Sequence, residues 1–199
     1  MNFEIVVATT NENKMKEYRE MIGNLPITLY SINDLNLNIE IEENGQTYFE
    51  NALIKAQALK KYTSLPIMAD DSGIEIEFLG KEFPGVNTHR YASSNGGFPA
   101  VDEFIIEKYK NETNRNAKYH CTIVVINLDK KPLRFDGDCY GKIDYSIKGG
   151  NGFGFDPIFI SDDLGLNLGT VSDEEKNKIS HRYKAFIKFI TYLKIYEYI

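Results

Sequence analysis

The sequence predicts a mixed α/β fold, and two patterns support this prediction. Near the amino terminus, the β-branched apolar run over residues 3–8 predicts a buried strand, and Met15 and Tyr18 then follow at helical spacing. In the second half, two longer strands over residues 117–127 and 133–147 are separated by a connector of five residues, which indicates an antiparallel hairpin. The sheet is therefore expected to be mixed, with helices packed against it.

The remaining elements are predicted from periodicity and from capping residues. A second strand is expected over residues 27–32, and strand-like alternation extends over residues 35–45. Helices are expected from near Thr47, over residues 98–109, and after Ser180, which has a good N-cap side chain.

The composition limits both the size of the protein and its partners. The chain has 199 residues, of which 42% are hydrophobic, so a single domain over residues 1–199 with one sizeable core is expected. The net charge of -6 argues against binding to nucleic acid or an anionic membrane, because such surfaces need a basic footprint. Cys121 and Cys139 follow no metal-binding spacing, and no leader or membrane-spanning run is evident. A soluble, cytoplasmic protein is therefore expected.

The most informative stretch is the short apolar run over residues 65–73, which ends in Asp70, Asp71 and Ser72. In open α/β sheets, ligands bind beyond the carboxyl ends of strands, and oxygen-rich side chains there are suited to a divalent cation. We expect Asp71 to bind this ion and the water used for hydrolysis. An alternative is that both carboxylates only form an Asx-turn or cap the following segment.

Cations lie at the predicted N-termini of two helices. Asn11 is a candidate N-cap that places Lys14 in the first helical turn, and His181 and Arg182 lie in the first turn of the final helix. A cation opposes the helix dipole at this end, and a bound anion would remove the conflict. The turn over residues 9–14 is therefore a candidate phosphate site, with an ordinary polar turn as the alternative. The recurrence of this pattern suggests a polyanionic ligand.

Acidic and basic residues also surround the second predicted helix. Glu42 and Glu43 directly precede it, and Asn51 and Lys55 share one of its faces. That face could contact a polar cleft beside Asp71. The alternatives are that Glu42 and Glu43 are there only because the helix dipole favours acidic residues, and that Lys55 is a solvated surface lysine.

Two loops contain further candidate ligands. Residues 79–97 form a long loop punctuated by Gly and Pro, in which Arg90 is a candidate phosphate contact. Residues 148–159 include four glycines within six residues and present Phe153 and Phe155, on which a base could stack. A glycine-rich bend with two core phenylalanines is the alternative.

Six motifs in order along nearly the whole chain resemble those of a known family. The motifs are Thr9-Thr10-Asn11-x-x-Lys14, Phe49-Glu50-Asn51-Ala52-x-x-Lys55-Ala56, Ala69-Asp70-Asp71-Ser72-Gly73, Pro84-Gly85-Val86, Gly152-Phe153-Gly154-Phe155-Asp156-Pro157-Ile158-Phe159 and Ser180-His181-Arg182. They resemble the inosine triphosphate pyrophosphatase family, which hydrolyses non-standard purine nucleoside triphosphates. The chain departs from the family at Thr10, where Gly is usual, and at Phe155, where Tyr is usual.

The resemblance implies a fold, an assembly and a reaction. The expected fold is a twisted, partly antiparallel sheet flanked by helices, with two lobes around a central nucleotide cleft, and the expected assembly is a homodimer. The expected reaction cleaves ITP, dITP or XTP between the α- and β-phosphates with Mg²⁺, which yields the monophosphate and pyrophosphate.

The resemblance also implies roles for individual residues. Asp71 would be the proton acceptor and a metal ligand, and Glu42 would be the second metal ligand, with Glu43 as the alternative at that position. His181 and Arg182 would recognise the 6-oxo group of the base. The full set of expected substrate-binding residues is Thr9, Thr10, Asn11, Glu12, Asn13, Lys14, Lys55, Ser72, Arg90, Phe153, Gly154, Phe155, Asp156, Lys176, His181 and Arg182.

Two other functions fit the same motifs. One is a Maf-like pyrophosphatase for pyrimidine or modified nucleotides, which differs in base preference. The other is a nucleotide-binding module without turnover, which predicts tight ITP binding without release of pyrophosphate.

Overall fold

The fold is organised around a central β-sheet. A computed structural model describes residues 2–80 and 83–199, and the strand order within these residues is β2-β1-β3-β4-β5-β6. The strands are β1 Phe3–Val7, β2 Ile27–Ser31, β3 Ile67–Ile76, β4 Asn116–Ile126, β5 Leu133–Ile143 and β6 Phe159–Ser161. Strand β1 is parallel to β2 and β3, whereas β5 is antiparallel to β6. The predicted mixed α/β fold is thus confirmed.

Side-chain pairs show the direction of the hairpin formed by β4 and β5. Thr122 donates a hydrogen bond to Asp136 (2.6 Å), and the His120 ring lies 2.8 Å from Asp138. Residue numbers therefore fall along one strand as they rise along the other, which is the pattern of an antiparallel pair. This agrees with the hairpin predicted from the short connector.

The helices begin close to the predicted positions because their caps are local. They are α1 Glu12–Ile22, α2 Tyr48–Leu59, α3 Thr88–Ser94, α4 Phe98–Lys108, α5 Asp173–Lys176 and α6 His181–Ile195. The Asn11 side chain accepts a hydrogen bond from the Lys14 amide at the start of α1. Thr47 and Glu50 form a reciprocal capping box at the start of α2. Ser180 directly precedes α6, as predicted.

The structure differs from the predicted elements in three places. Strand β3 continues to Ile76, so Asp70 and Asp71 lie within the strand and not beyond its carboxyl end. Residues 35–45 form no strand, and their alternating apolar side chains pack against the core from an irregular segment. The predicted loop over residues 79–97 contains helix α3; two of its positions, 81 and 82, lie outside the described residues.

The chain divides into two compact units. The first comprises Met1–Asp71, Cys121–Gly137 and Tyr183–Ile199, and the second comprises Ser72–His120 and Asp138–Arg182. In the first unit, helices α1 and α6 cover one apolar sheet face, and α2 covers another apolar cluster that includes Ala69 and Val124. The second unit has its own apolar core, to which α4 contributes. A single functional domain and a nucleotide cleft between lobes both stay predictions.

None of the helices in the described residues is both long enough and apolar enough to cross a lipid bilayer.

Gly73 follows the acidic pair on β3 and lies against the Pro84-Gly85-Val86 motif. A Cβ atom at position 73 would lie 2.1 Å from the Gly85 carbonyl oxygen and 2.6 Å from the Thr88 hydroxyl. That hydroxyl donates to Gly85 O (2.7 Å) and accepts from the Ile74 amide (2.9 Å). Glycine is therefore required at position 73 so that the two backbone segments can approach each other.

We predict that Gly73→Ala lowers the free energy of unfolding by about 1–3 kcal/mol, the usual effect of overpacking a filled site. Urea denaturation followed by circular dichroism measures this change. Gly150→Ala is the matched control, because a Cβ atom there meets no atom within 4 Å. Equal losses in the two variants would contradict the close approach at Gly73.

Candidate active site

Asp71 lies on β3 with its side chain facing helix α2. It is 7% exposed, and its Oδ2 accepts a hydrogen bond from Asn51 Nδ2 at 3.1 Å. Its Oδ1 lies 3.5 Å from Lys55 Nζ, which also contacts Glu43 Oε2 at 2.7 Å. Asn51 and Lys55 are four residues apart on α2, so both point to the same carboxylate. The predicted contact of this helix face with Asp71 is therefore present in the structure.

The charges around Asp71 shift the pKa values of the site. Burial raises the pKa of Asp71, and the nearby Lys55 and Lys14 ammonium groups oppose this effect only in part. Burial lowers the pKa of Lys55, but attraction to Asp71, Asp70 and Glu43 outweighs it, so that the net pKa is raised. Lys55 is therefore a stable cation, and Asp71 binds a proton more readily than an exposed aspartate does.

The structure distinguishes between the two acidic residues that precede α2. Glu43 is partly buried and forms the ion pair with Lys55, whereas Glu42 is exposed to solvent. The carboxylate beside Asp71 and Lys55 is thus Glu43, one residue after the position assigned to the second metal ligand from the sequence. Within residues 2–80 and 83–199, no group of three or more His, Cys, Asp or Glu side chains is arranged to bind a metal.

Asp70 is engaged separately from Asp71, because successive side chains on a strand point to opposite faces. Asp70 Oδ2 lies 2.9 Å from Lys14 Nζ, and the Asp70 side chain is buried. The cation in the first turn of α1 is therefore offset by a carboxylate of the protein itself. Sequence analysis missed this pairing, because nothing local to either residue indicates that β1 and β3 are neighbours.

The other residues of the predicted phosphate turn lie nearer the surface. Thr9 accepts a hydrogen bond from the Asn11 amide through its hydroxyl (3.1 Å). Thr10 and Asn13 are exposed, and Glu12 accepts a hydrogen bond from Asn33 at 2.7 Å. The turn therefore presents backbone and side-chain groups to solvent at the start of α1.

In the second unit, the glycine-rich loop is fixed by Asp156. Asp156 Oδ2 accepts a hydrogen bond from the Phe153 amide (2.8 Å) and from Lys176 Nζ (2.6 Å). A Cβ atom at Gly152, where φ is +74°, would lie 2.2 Å from this same oxygen. Lys176 Nζ also lies 4.4 Å from the centroid of the Phe153 ring. The loop thus presents Phe153 beside a buried ion pair.

His181 and Arg182 are both buried at the start of α6. Arg182 Nη2 donates to the Ser72 hydroxyl at 3.0 Å. The His181 ring stacks on the Tyr119 ring, with centroids 4.9 Å apart and planes 10° apart. Fixed donors of this kind are suited to recognition of a polar ligand group.

Two predicted substrate contacts are placed differently. Phe155 is fully buried and packs edge-on against Phe98 on α4, with centroids 5.2 Å apart. Its ring belongs to the core, as in the alternative of a glycine-rich bend with core phenylalanines, and Phe153 is the partly exposed ring. Arg90 lies on α3 with an exposed side chain that donates to Asn87 at 2.5 Å. Gly154, which directly precedes Phe155, has a φ of +70°.

The structure therefore gathers the candidate residues into one cluster within each unit. Lys14, Lys55 and Asp71 belong to the first unit, and the second contains Ser72 with the residues that surround Phe153. Sequence analysis also missed Tyr119 and Asp102, which lie near Asp156, because a tyrosine in a strand and an aspartate in a helix carry no functional signal of their own.

Comparisons with known proteins give consistent matches. A model of the Ham1 family matches residues 5–192. The chain is 40% identical over 199 residues to a dITP/XTP pyrophosphatase of Malacoplasma penetrans, with 96% of this chain and 98% of the relative covered. It is 35% identical over 198 residues to one of Clostridium tetani, with 96% of each covered. The structure of a HAM1 protein from Coxiella burnetii matches with a TM-score of 0.84 and 36% identity, over 96% of this chain and 98% of the other.

These matches confirm the family that the ordered motifs predict. They extend over nearly the whole chain, and the relatives are named for the predicted enzyme class, a nucleoside triphosphate pyrophosphatase. The chain therefore belongs to the Ham1 family.

Proposed function

We propose that the protein hydrolyses dITP, XTP and ITP between the α- and β-phosphates, with Mg²⁺, to yield the monophosphate and pyrophosphate. The observation that carries this proposal is the Lys55 ammonium group between the Asp71 and Glu43 carboxylates. The names of the similar dITP/XTP pyrophosphatases support the reaction class. Removal of non-standard purines from the nucleotide pool would be the cellular role.

Asp71 is the residue that we assign as proton acceptor. Asn51 binds its Oδ2, whereas among the described residues Oδ1 has only the longer contact with Lys55, at 3.5 Å. Oδ1 is thus the oxygen that can accept a proton from the attacking water. The pKa of Asp71 is raised by burial, which makes this carboxylate a better base than an exposed aspartate.

The donor set fits Mg²⁺, which uses one or two carboxylates together with water and substrate phosphates. Asp71 and Glu43 are the residues that would bind it, because their contacts with one Lys55 nitrogen, at 3.5 and 2.7 Å, show that the two carboxylates lie close together. When bound, the ion would supply Lewis-acid polarisation of the phosphate and would acidify water.

Lys14 and Lys55 would neutralise the charge of the phosphates. Lys14 is paired with Asp70 and lies at the N-terminus of α1, where backbone amides also attract anions. The side chains and amides of Thr9, Thr10 and Asn11 would complete the contacts with the phosphates. Two fixed cations near the reacting group would stabilise charge as it develops.

The second unit provides the groups that would bind the base. The Phe153 ring would stack on it, and His181 and Arg182 would donate to its 6-oxo group. The His181 and Arg182 side chains are buried and fixed, so a base without the 6-oxo acceptor would leave a donor unpaired. Such sites discriminate strongly against the wrong base.

The assembly and the location remain part of the proposal. We infer a homodimer from the family resemblance, and a cytoplasmic location from the cysteine pattern and composition. The net charge of -6 supports a protein that does not bind nucleic acid.

We predict that the purified protein releases pyrophosphate from ITP, dITP and XTP with Mg²⁺, and that ATP and GTP are poor substrates. An assay that separates pyrophosphate from orthophosphate measures this directly. Equal hydrolysis of dTTP or UTP would favour a Maf-like enzyme. Tight ITP binding without pyrophosphate release would favour a binding module.

We predict that Asp71→Asn lowers kcat for dITP by at least ~10²-fold, because the variant removes the proton acceptor and a metal ligand. Steady-state kinetics at saturating Mg²⁺ measure the loss. Asp162→Asn, at an exposed carboxylate, is the matched control and should retain activity. Unchanged turnover in Asp71→Asn would remove Asp71 from the mechanism.

We predict a pH effect at Lys55. The base must be unprotonated, so kcat falls as the pH drops through the pKa of Asp71, and the Lys55 cation keeps that pKa from rising further. Lys55→Met should therefore move the acid limb of the pH–kcat profile to higher pH and lower the maximum. Lys60→Met, at the exposed residue that directly follows α2, should leave the profile unchanged. A shift to lower pH in Lys55→Met would contradict the assignment.

A further inference from the structure

Asp102 is a buried carboxyl group that the proposed reaction does not use. It lies in the middle of α4 and is 3% exposed. Its Oδ1 has no hydrogen-bond partner among the residues that the structure describes. Burial of an unpaired carboxylate is unfavourable, whereas a neutral carboxyl group is tolerated. The surroundings of Asp102 therefore decide its charge.

Helix α4 places Asp102 against the loop that carries the base-binding groups. The helix packs on the 3₁₀ turn Asp156–Ile158, and Phe98, one helical turn before Asp102, contacts Phe155. Burial raises the pKa of Asp102 to about 7, and the nearby Asp156 carboxylate adds to this rise. The two carboxyl groups thus belong to one buried cluster.

That cluster contains one strong ion pair. Asp156 Oδ2 already binds the Lys176 ammonium group and the Phe153 amide. Asp156 is therefore the ionised member, and a second negative charge at Asp102 would repel it. Repulsion between two buried carboxylates is strong because little water screens it.

Few other charged groups face Asp102. From β4, the Tyr119 hydroxyl is near both carboxyl groups but forms no well-aligned hydrogen bond; burial above all keeps its pKa well above the usual value, so it stays neutral. Cys139 and the stacked His181 ring adjoin Tyr119. From α3, His89 contacts Phe98. On α4 itself, Glu103, Glu107 and Lys108 are exposed to solvent.

We propose that Asp102 is a positioning residue that controls the base-binding loop through its own proton. With the carboxyl group neutral, Asp156 keeps its contacts with Lys176 and the Phe153 amide. When Asp102 releases its proton to solvent, the new charge repels Asp156, and the loop no longer presents Phe153 in the binding geometry. This inference rests on the proposed function of the loop in nucleotide binding.

The inference separates binding from turnover. Asp102 acts on the loop that would bind the base, whereas Asp71 would accept the proton, so ionisation of Asp102 should raise KM and leave kcat nearly unchanged. Because only the neutral fraction binds well, the wild-type KM for dITP should rise by roughly tenfold between pH ~6 and pH ~8.

The test is Asp102→Asn, which keeps the shape of the side chain and cannot ionise. Its KM for dITP should stay flat over the same pH range, whereas Glu103→Gln, at the exposed neighbour, should follow the wild type. Ionisation of the substrate itself is common to all three proteins. A parallel rise of KM in wild type and Asp102→Asn would overturn the inference.

Thermal unfolding without substrate gives an independent readout. When a carboxyl group has a higher pKa in the folded protein than in the unfolded chain, the unfolded chain loses its proton at lower pH. The free energy of unfolding therefore falls as the pH rises. The Tm advantage of Asp102→Asn over wild type should therefore grow from pH ~5 to pH ~8. A constant difference would show that Asp102 is ionised throughout and would overturn the inference.

The two proposals can fail separately. If wild type and Asp102→Asn hydrolyse dITP with the same pH dependence of KM, only the role of Asp102 is wrong. If the wild type hydrolyses no dITP at any pH, the proposed function fails, and positioning of a nucleotide loop by Asp102 fails with it.

Discussion

The interaction on which the site depends is the ammonium group of Lys55 between two carboxylates. Its side chain is largely buried, and a buried cation without partners would be strongly unfavourable. Glu43 and Asp71 offset that desolvation, and Lys55 in turn limits the rise of the Asp71 pKa. Without the lysine, the pKa of the buried Asp71 carboxylate would be raised further. The charge state of Asp71 and the packing of α2 on the sheet are therefore coupled through Lys55.

Strand β3 keeps two adjacent aspartates apart, because side chains alternate between the two faces of a strand. Adjacent aspartates would repel each other if their side chains shared a face, but a strand directs Asp70 and Asp71 to opposite sides. Each then has its own lysine, Lys14 from α1 and Lys55 from α2. Each lysine is carried by a helix that packs on the same sheet face as the aspartate it contacts. Two helices and one strand thus provide an acidic pair with two cations, and each lysine also attracts the other aspartate.

The sequence was informative wherever a local signal existed. Asn11 and Thr47 predict helix starts through their own side chains, and the spacing of Asn51 and Lys55 places both on one face of α2. The errors concern long-range packing. The length of β3 depends on its neighbours in the sheet, and the burial of Phe155 depends on Phe98, which lies more than fifty positions earlier in the chain. The pairing of Lys55 with Glu43 and the exposure of Glu42 also depend on the fold, because nothing in the sequence tells which of two adjacent glutamates points toward α2.

The capping box at the start of α2 has a consequence for rate. Thr47 and Glu50 fix the first turn of the helix, and Asn51 and Lys55 follow within two turns, on regular backbone. The Asn51 side chain contacts Asp71, and the Lys55 side chain contacts Glu43. An enzyme whose dipoles and charges are oriented beforehand has a small reorganisation energy when charge moves in the transition state. In the proposed mechanism, the two hydrogen bonds of this capping box would thereby lower the activation barrier.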